Sequence, residues 1–188
     1  MFFKCLSVGP IGTNCYLLGG EKCDECAVID PGAEPERILA AAEGRRIAAI
    51  LLTHGHFDHI GGVEALRKVC PRQMIHPLDA PMLADPGLNG GMFLMSRKVT
   101  APPATDLLRD GEEMDLAGLH FRVIHTPGHT PGGVCYQTED CLFTGDTVFH
   151  HGWGRTDLPG GNQEQLFASL RMLMPLIRTL RIFPGHED

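Results

Sequence analysis

The run Ile47-Ala48-Ala49-Ile50-Leu51-Leu52-Thr53, continued by His54-Gly55-His56-Phe57-Asp58-His59, decides how this chain folds. The first part is apolar until Thr53, the pattern of a strand buried on both faces inside an α/β sheet. The second part puts three histidines and a carboxylate within six residues, directly after that strand. Such a loop is short enough to aim all four side chains at one point. Neutral imidazole and carboxylate are the ligands that zinc and other borderline divalent metals prefer. Four ligands this dense exceed what one catalytic zinc uses, because that site keeps a position open for water. The excess points to two metals. A solvated polar loop does not explain three of ten histidines clustering between an apolar strand and Gly61-Gly62.

Working outward, Asn14 to Leu18 and Cys26 to Ile29 read as paired strands closed by a glycine-rich turn, and Asp30-Pro31-Gly32 ends the second. A helix is expected from Pro35 through Ile38, Leu39 and Ala42 to Gly44. After the histidine loop, a helix carries Val63, Leu66 and Val69, Met74 to His76 forms a short strand, and Pro77 to Leu83 a short helix. From Pro86 to Asp106 the pattern breaks into Gly, Pro, Met and a few charges, and a loop this long is functional or mobile. Met92, Phe93, Leu94 and Met95 give it an apolar lip, while Arg97 and Lys98 read as a solvated loop face, with contact to an acidic substrate as the alternative.

The second half repeats the theme. Leu119 to Ile124 alternates, and Gly133 to Gln137 with Cys141 to Thr144 suggests a hairpin. Asn162 is a candidate N-cap with Gln165 completing a capping box, for a helix whose apolar stripe is Leu166, Leu170, Leu173 and Met174. Leu180 to Phe183 forms a last strand. The economical reading is one domain, 1–188, of two similar α/β halves.

Three further candidate ligands each follow an expected strand: His129, Asp146 and His186. Loops from the ends of different strands converge on one rim of a sheet. A carboxylate has two oxygens and bridges two metals more naturally than an imidazole does, so Asp146 is the natural bridge.

These segments together resemble the metallo-β-lactamase-fold superfamily, and within it the glyoxalase II-like hydrolases. The resemblance rests on His54-x-His56-x-Asp58-His59, on Thr126-Pro127-Gly128-His129-Thr130-Pro131-Gly132, on Gly145-Asp146-Thr147 and on Pro184-Gly185-His186. It extends to Asp30-Pro31-Gly32 and to Gly154-Arg155-Thr156-Asp157-Leu158-Pro159-Gly160-Gly161, nearly the whole chain. It implies a four-layer αββα sandwich. It also implies that His54, His56 and His129 hold one metal and Asp58, His59 and His186 the other, with Asp146 bridging. Asp30 would support the metal loop from behind. Thr53 and Thr130 are candidates for holding ligand loops, and Arg155 and Asp157 for pairing with each other. His150 and His151 follow Asp146 closely but have no ligand role left, and His76, His120 and His125 read as structural or exposed.

Two divalent ions roughly 3.5–4 Å apart share a water and lower its pKa toward about 7, giving a bridging hydroxide that attacks a carbonyl. Asp58 is then both ligand and the catalytic orienter of the nucleophile. The expected cofactors are two divalent ions, zinc first, with iron and manganese also compatible. The expected activity is a thioesterase of the hydroxyacylglutathione hydrolase (glyoxalase II) type. The expected partner is a small-molecule thioester, glutathione-derived in the leading case. The expected organisation is a single domain without the C-terminal helical domain that binds glutathione in typical glyoxalase II enzymes. The alternatives are a mononuclear iron persulfide dioxygenase and a lactonase or other hydrolase of the same fold.

Composition sets the outer limits. A formal charge of −7 argues against nucleic acid or an anionic membrane as partner, since both need a basic face. No signal-peptide pattern and no bilayer-length apolar run occurs, so the expected compartment is the cytoplasm. Homo-oligomerisation stays open. Seven scattered cysteines do not form a disulfide framework. Cys5, Cys15, Cys70, Cys135 and Cys141 read as small core residues, and Cys23 with Cys26 as a surface pair on a hairpin turn.

Overall fold

The computed structural model describes residues 1–187. β1 (Phe2–Val8), β2 (Thr13–Gly19) and β3 (Glu25–Ile29) form an antiparallel meander. α1 (Pro35–Ala41) then carries the chain over to β4 (Arg46–Leu51), parallel to β3. Two single-turn helices, α2 (Phe57–Ile60) and α3 (Val63–Leu66), lead to β5 (Gln73–Ile75), parallel to β4. A 3-10 turn at Ala80–Leu83 and α4 (Gly91–Met95) precede β6 (Asp106–Leu107), which completes a six-stranded sheet in sequential order. In the second sheet β7 (Glu113–Leu116), β8 (Leu119–His125), β9 (Val134–Thr138) and β10 (Cys141–Gly145) run antiparallel. α5 (Gln163–Ile177) crosses over to β11 (Arg181–Pro184), parallel to β10, for the order β11-β10-β9-β8-β7.

The period-two alternation of the strands generates the layers. On β2, Cys15 and Leu17 join Ile38 of α1 and Val63 and Leu66 of α3 in one core. Tyr16 and Leu18 join Phe121, Tyr136 and Phe143 of the second sheet in another. On the far side, Cys135 and Leu142 pack on Leu173 of α5. The result is helix, sheet, sheet, helix, the αββα sandwich expected from the sequence. The layer between the sheets holds the largest fully buried side chains, Tyr136, Phe121 and Phe143. Full burial of one large apolar side chain is worth about 1.5–3 kcal/mol, so this layer is the main adhesive between the halves.

Several local expectations need correction. β1 and β7 have no counterpart in the sequence reading, and the 86–106 loop contains α4 and ends at β6. The helix expected to carry Val69 ends at Leu66, leaving Val69 54% exposed; Met174 leaves the α5 stripe at 43% exposed. Cys5 is exposed rather than in the core, and Cys26 is fully buried rather than on the surface, while Cys23 is half-buried. Asn162 caps α5 through its side chain, accepting from Gln165 N at 3.0 Å. Its own N–H goes to Gly128 O at 2.7 Å, so the reciprocal half of the capping box is replaced by a tie to a loop of the site. Among the described residues, no helix is long and apolar enough to cross a membrane.

Candidate metal centre

Loops leaving the C-terminal ends of β4, β8, β10 and β11 deliver all seven candidate ligands to one rim. Behind the β4 loop, Asp30 accepts from Thr53 N at 2.8 Å and from Thr53 Oγ1 at 2.6 Å. The hydroxyl proton is thereby committed, so Thr53 Oγ1 acts as acceptor toward His54 Nδ1 at 3.0 Å. Asp30 Oδ2 also accepts from His59 Nδ1 at 2.9 Å, and the Arg155 carbonyl accepts from His129 Nδ1 at 2.7 Å. In all three rings a proton therefore sits on Nδ1, which leaves Nε2 as the nitrogen turned toward the site. His56 presents its Nδ1 instead, 2.8 Å from His129 Nε2.

These ligand atoms gather in two groups joined by a carboxylate. Ligand atoms of His54, His56 and His129 lie within 4.8 Å of one another, as do those of Asp58, His59 and His186. Asp58 Oδ2 is 3.3 Å from His59 Nε2 and 3.2 Å from His186 Nε2. Asp146 reaches both groups: its Oδ1 is 3.4 Å from His59 Nε2, and its Oδ2 is 3.6 Å from His129 Nε2 and 3.5 Å from His186 Nε2. Ligand atoms of Asp30, His54 and His59 also lie within 4.8 Å of one another, but Asp30 binds the Nδ1 side of His59, so it positions that ring from behind.

Nε2 of His54, His56 and His59 and Oδ1 of Asp146 are buried without a hydrogen-bond partner among the described residues. Each such group costs about 1–3 kcal/mol if left unmade. At His54, His59 and Asp146 these are the atoms turned toward the site, and they fit divalent cations, which would use them, while His56 turns its other nitrogen, Nδ1, toward His129.

The electrostatics agree. Burial, reinforced by neighbouring imidazoles, drives His54 well below the usual histidine range and His56 to about 3, so both stay neutral. Burial also disfavours charge on His59, but Asp58, Asp146 and Asp30 outweigh it and raise that ring well above the usual range. His186 is raised too, burial being outweighed by its contact with Asp58 and by Asp146. Burial would push Asp58 and Asp146 upward, yet His59 and, for Asp58, the His186 hydrogen bond hold both carboxyls low. Protons on His59 and His186 balance the two carboxylates, and a divalent cation would replace them.

The surrounding supports are partly as expected. Thr53 and Thr130 hold ligand loops, and Arg155 pairs bidentately with Asp157 at 2.6 and 2.7 Å. Asp79 is a support that the sequence reading missed. Fully buried, it accepts from Gly55 N at 3.0 Å, Thr130 Oγ1 at 2.7 Å and Gly132 N at 2.6 Å, clamping the His54–His59 loop to the His129 loop. The His186 segment is pinned from the other sheet, where Asn14 N donates to Gly185 O at 2.7 Å and Tyr16 Oη to Pro184 O at 2.6 Å. Thr13 Oγ1 donates to Asp58 Oδ2 at 3.0 Å. A Cβ on Gly185 would collide with Asp146 Oδ1 and crowd His59 Cε1, so close approach demands glycine there. His150 and His151 are exposed and join neither ligand group. His76 stacks on His125 with ring centroids 4.1 Å apart, and His120 is exposed beside Asp115.

Fold and site together define a metal-dependent hydrolase architecture. The sequence profile of the metallo-beta-lactamase superfamily matches residues 8–186, and the chain belongs to that superfamily. It is 38% identical over 192 residues to the "Probable metallo-hydrolase YqgX" of Bacillus subtilis, covering 99% of this chain and 90% of the relative. It is 32% identical over 193 residues to the hydroxyacylglutathione hydrolase GloC of Haemophilus influenzae, covering 99% and 91%. Among solved structures, the BLEG-1 B3 metallo-beta-lactamase superposes with a TM-score of 0.93 at 39% identity, covering 100% of this chain and 92% of the other. TTHA1623, solved in a di-iron-bound form, superposes with a TM-score of 0.85 at 37% identity, covering 98% and 92%.

Proposed function

We propose that this chain is a dinuclear metal-dependent thioesterase of the hydroxyacylglutathione hydrolase type. In this reading His54, His56 and His129 hold one ion, Asp58, His59 and His186 the other, and Asp146 lies between them. The observation that carries it is the convergence of two groups of candidate ligands on Asp146, with Nε2 of His54 and His59 buried and unpartnered and the rings of His54, His59 and His129 oriented by Thr53, Asp30 and the Arg155 carbonyl. Divalent ions bound there supply a water of lowered pKa and a Lewis-acid contact for a carbonyl oxygen. Asp58 is the catalytic residue. Thr13 and His186 hold its Oδ2, and with metal bound the carboxylate would orient the attacking water and take its proton.

The thioester assignment has two supports. A thiolate leaves without prior protonation more readily than an alkoxide or an amide nitrogen, and the GloC relative carries a glutathione-thioester name. Zinc is the first choice of metal, and the di-iron form of TTHA1623 supports iron as the other. The direct test is hydrolysis of S-lactoylglutathione by protein of measured metal content. Turnover is expected, falling by about 10²-fold or more in Asp58→Asn. A fully metallated protein that leaves this thioester intact would contradict the assignment. The likeness to BLEG-1 favours a second reading, β-lactam hydrolysis by the same centre, and a β-lactam belongs in the same assay.

A further inference from the structure

A cleft of about 220 Å³ opens beside Asp58, and none of the candidate histidine ligands lines it. Val8, Ile11, Phe57, Met95 and Val99 give it apolar walls, and only two charged residues line it, Asp58 and Arg97. Asp58 belongs to the candidate metal cluster. Arg97 follows α4, its backbone N–H bonded to Gly91 O at 3.2 Å, and its side chain is exposed with no partner among the described residues. Arg37, Arg45, Arg46, Arg72, Arg155 and Arg181 each pair with a carboxylate, and of the arginines that do not, Arg97 is the one that lines this cleft. The helix before Arg97 contributes Met95 to the lining and exposes Met92, Phe93 and Leu94 by 45%, 73% and 44%.

An apolar trough that touches the reactive centre and carries one uncommitted cation is shaped for a particular arm of substrate. Each methylene buried there is worth roughly fourfold in affinity, so the walls select an aliphatic chain. In a chain of formal charge −7 an anionic tip is repelled unless a cation receives it, and Arg97 is the cation available in this cleft. We propose that the cleft binds the acyl arm of the substrate, and that Arg97 selects an aliphatic acyl group ending in a carboxylate. This rests on the hydrolase reading above. The scissile carbonyl then lies at the Asp58 end, with the chain running along Phe57, Ile11 and Val99. Lys98, its neighbour in sequence, is not among the residues lining the cleft.

The test is equilibrium binding to metal-loaded protein of two non-hydrolysable thioethers of N-acetylcysteamine, one with a hexyl and one with a 5-carboxypentyl chain. Hydrolysis of the matching hexanoyl and adipoyl thioesters is measured beside it. The carboxylate form is expected to bind about fivefold tighter, the scale of an exposed ion pair. Arg97→Met should bring that ratio close to one and leave the hexyl compound unchanged, while Ile11→Asp should weaken both. Equal affinities in the unmodified protein would overturn the proposal. So would a preference that survives Arg97→Met, because the metal ions would then be drawing the carboxylate. Arg97-dependent binding without turnover of either thioester would sink the thioesterase reading and leave the cleft assignment standing. Turnover without any Arg97 dependence would do the reverse.

Discussion

Asp79 spends its carboxylate on three donors, Gly55 N, Thr130 Oγ1 and Gly132 N, which belong to the two loops carrying His54, His56 and His129. Burial raises its pKa and those hydrogen bonds oppose the rise, so the group is an anchor held under tension between the two effects. Asp79→Asn keeps the shape but turns one acceptor oxygen into a donor facing N–H or O–H groups. Metal affinity is expected to fall about 10- to 100-fold, as for other residues that orient ligands. Competition against a chelator measures it, and unchanged affinity would remove Asp79 from the account. The seven ligand candidates were legible because each is a metal-binding type placed directly after an apolar strand. Asp79 was not, since it sits in the unremarkable Pro77–Leu83 segment and its partners are 24, 51 and 53 residues away.

At the scale of elements, α5 depends on its cap. Asn162 Oδ1 satisfies the Gln165 N–H, one of the donors a helix start leaves without a partner. Asn162→Ala is expected to cost about 1 kcal/mol, read as a lower urea midpoint with an unchanged slope. A midpoint that does not move would mean that packing of Leu166 and Leu173 alone holds the helix start. The buried strands β2, β3 and β4 were readable from apolar runs. β1, β6 and β7 were not, and all three lie at sheet edges, where half-exposed or polar residues erase the alternation. Cys5 and Cys26 were misread for the same reason. Cys5 lies on the half-exposed edge strand, and Cys26 on an inner strand whose residues are buried from its second position on.

Across the whole molecule, the two halves meet through aromatic packing and through hydrogen bonds that cross between sheets. Tyr136 Oη donates to Leu52 O at 2.7 Å, just ahead of the His54 loop, and Tyr16 Oη to Pro184 O, just ahead of His186. The αββα order was implied by the family resemblance, and the two similar halves read from the sequence agreed with it. The way β2 secures the last ligand did not, because Asn14 and Tyr16 are 170 and 168 residues from Pro184 in the chain. The central claim is that this inter-sheet rim holds two divalent ions through seven side chains. Elemental analysis of zinc-saturated, desalted protein tests it most directly. Two ions per chain are predicted, with occupancy dropping toward one when His186 and Asp58 are both replaced by alanine. A single ion per chain in the unmodified protein, unaffected by those replacements, would contradict the dinuclear site.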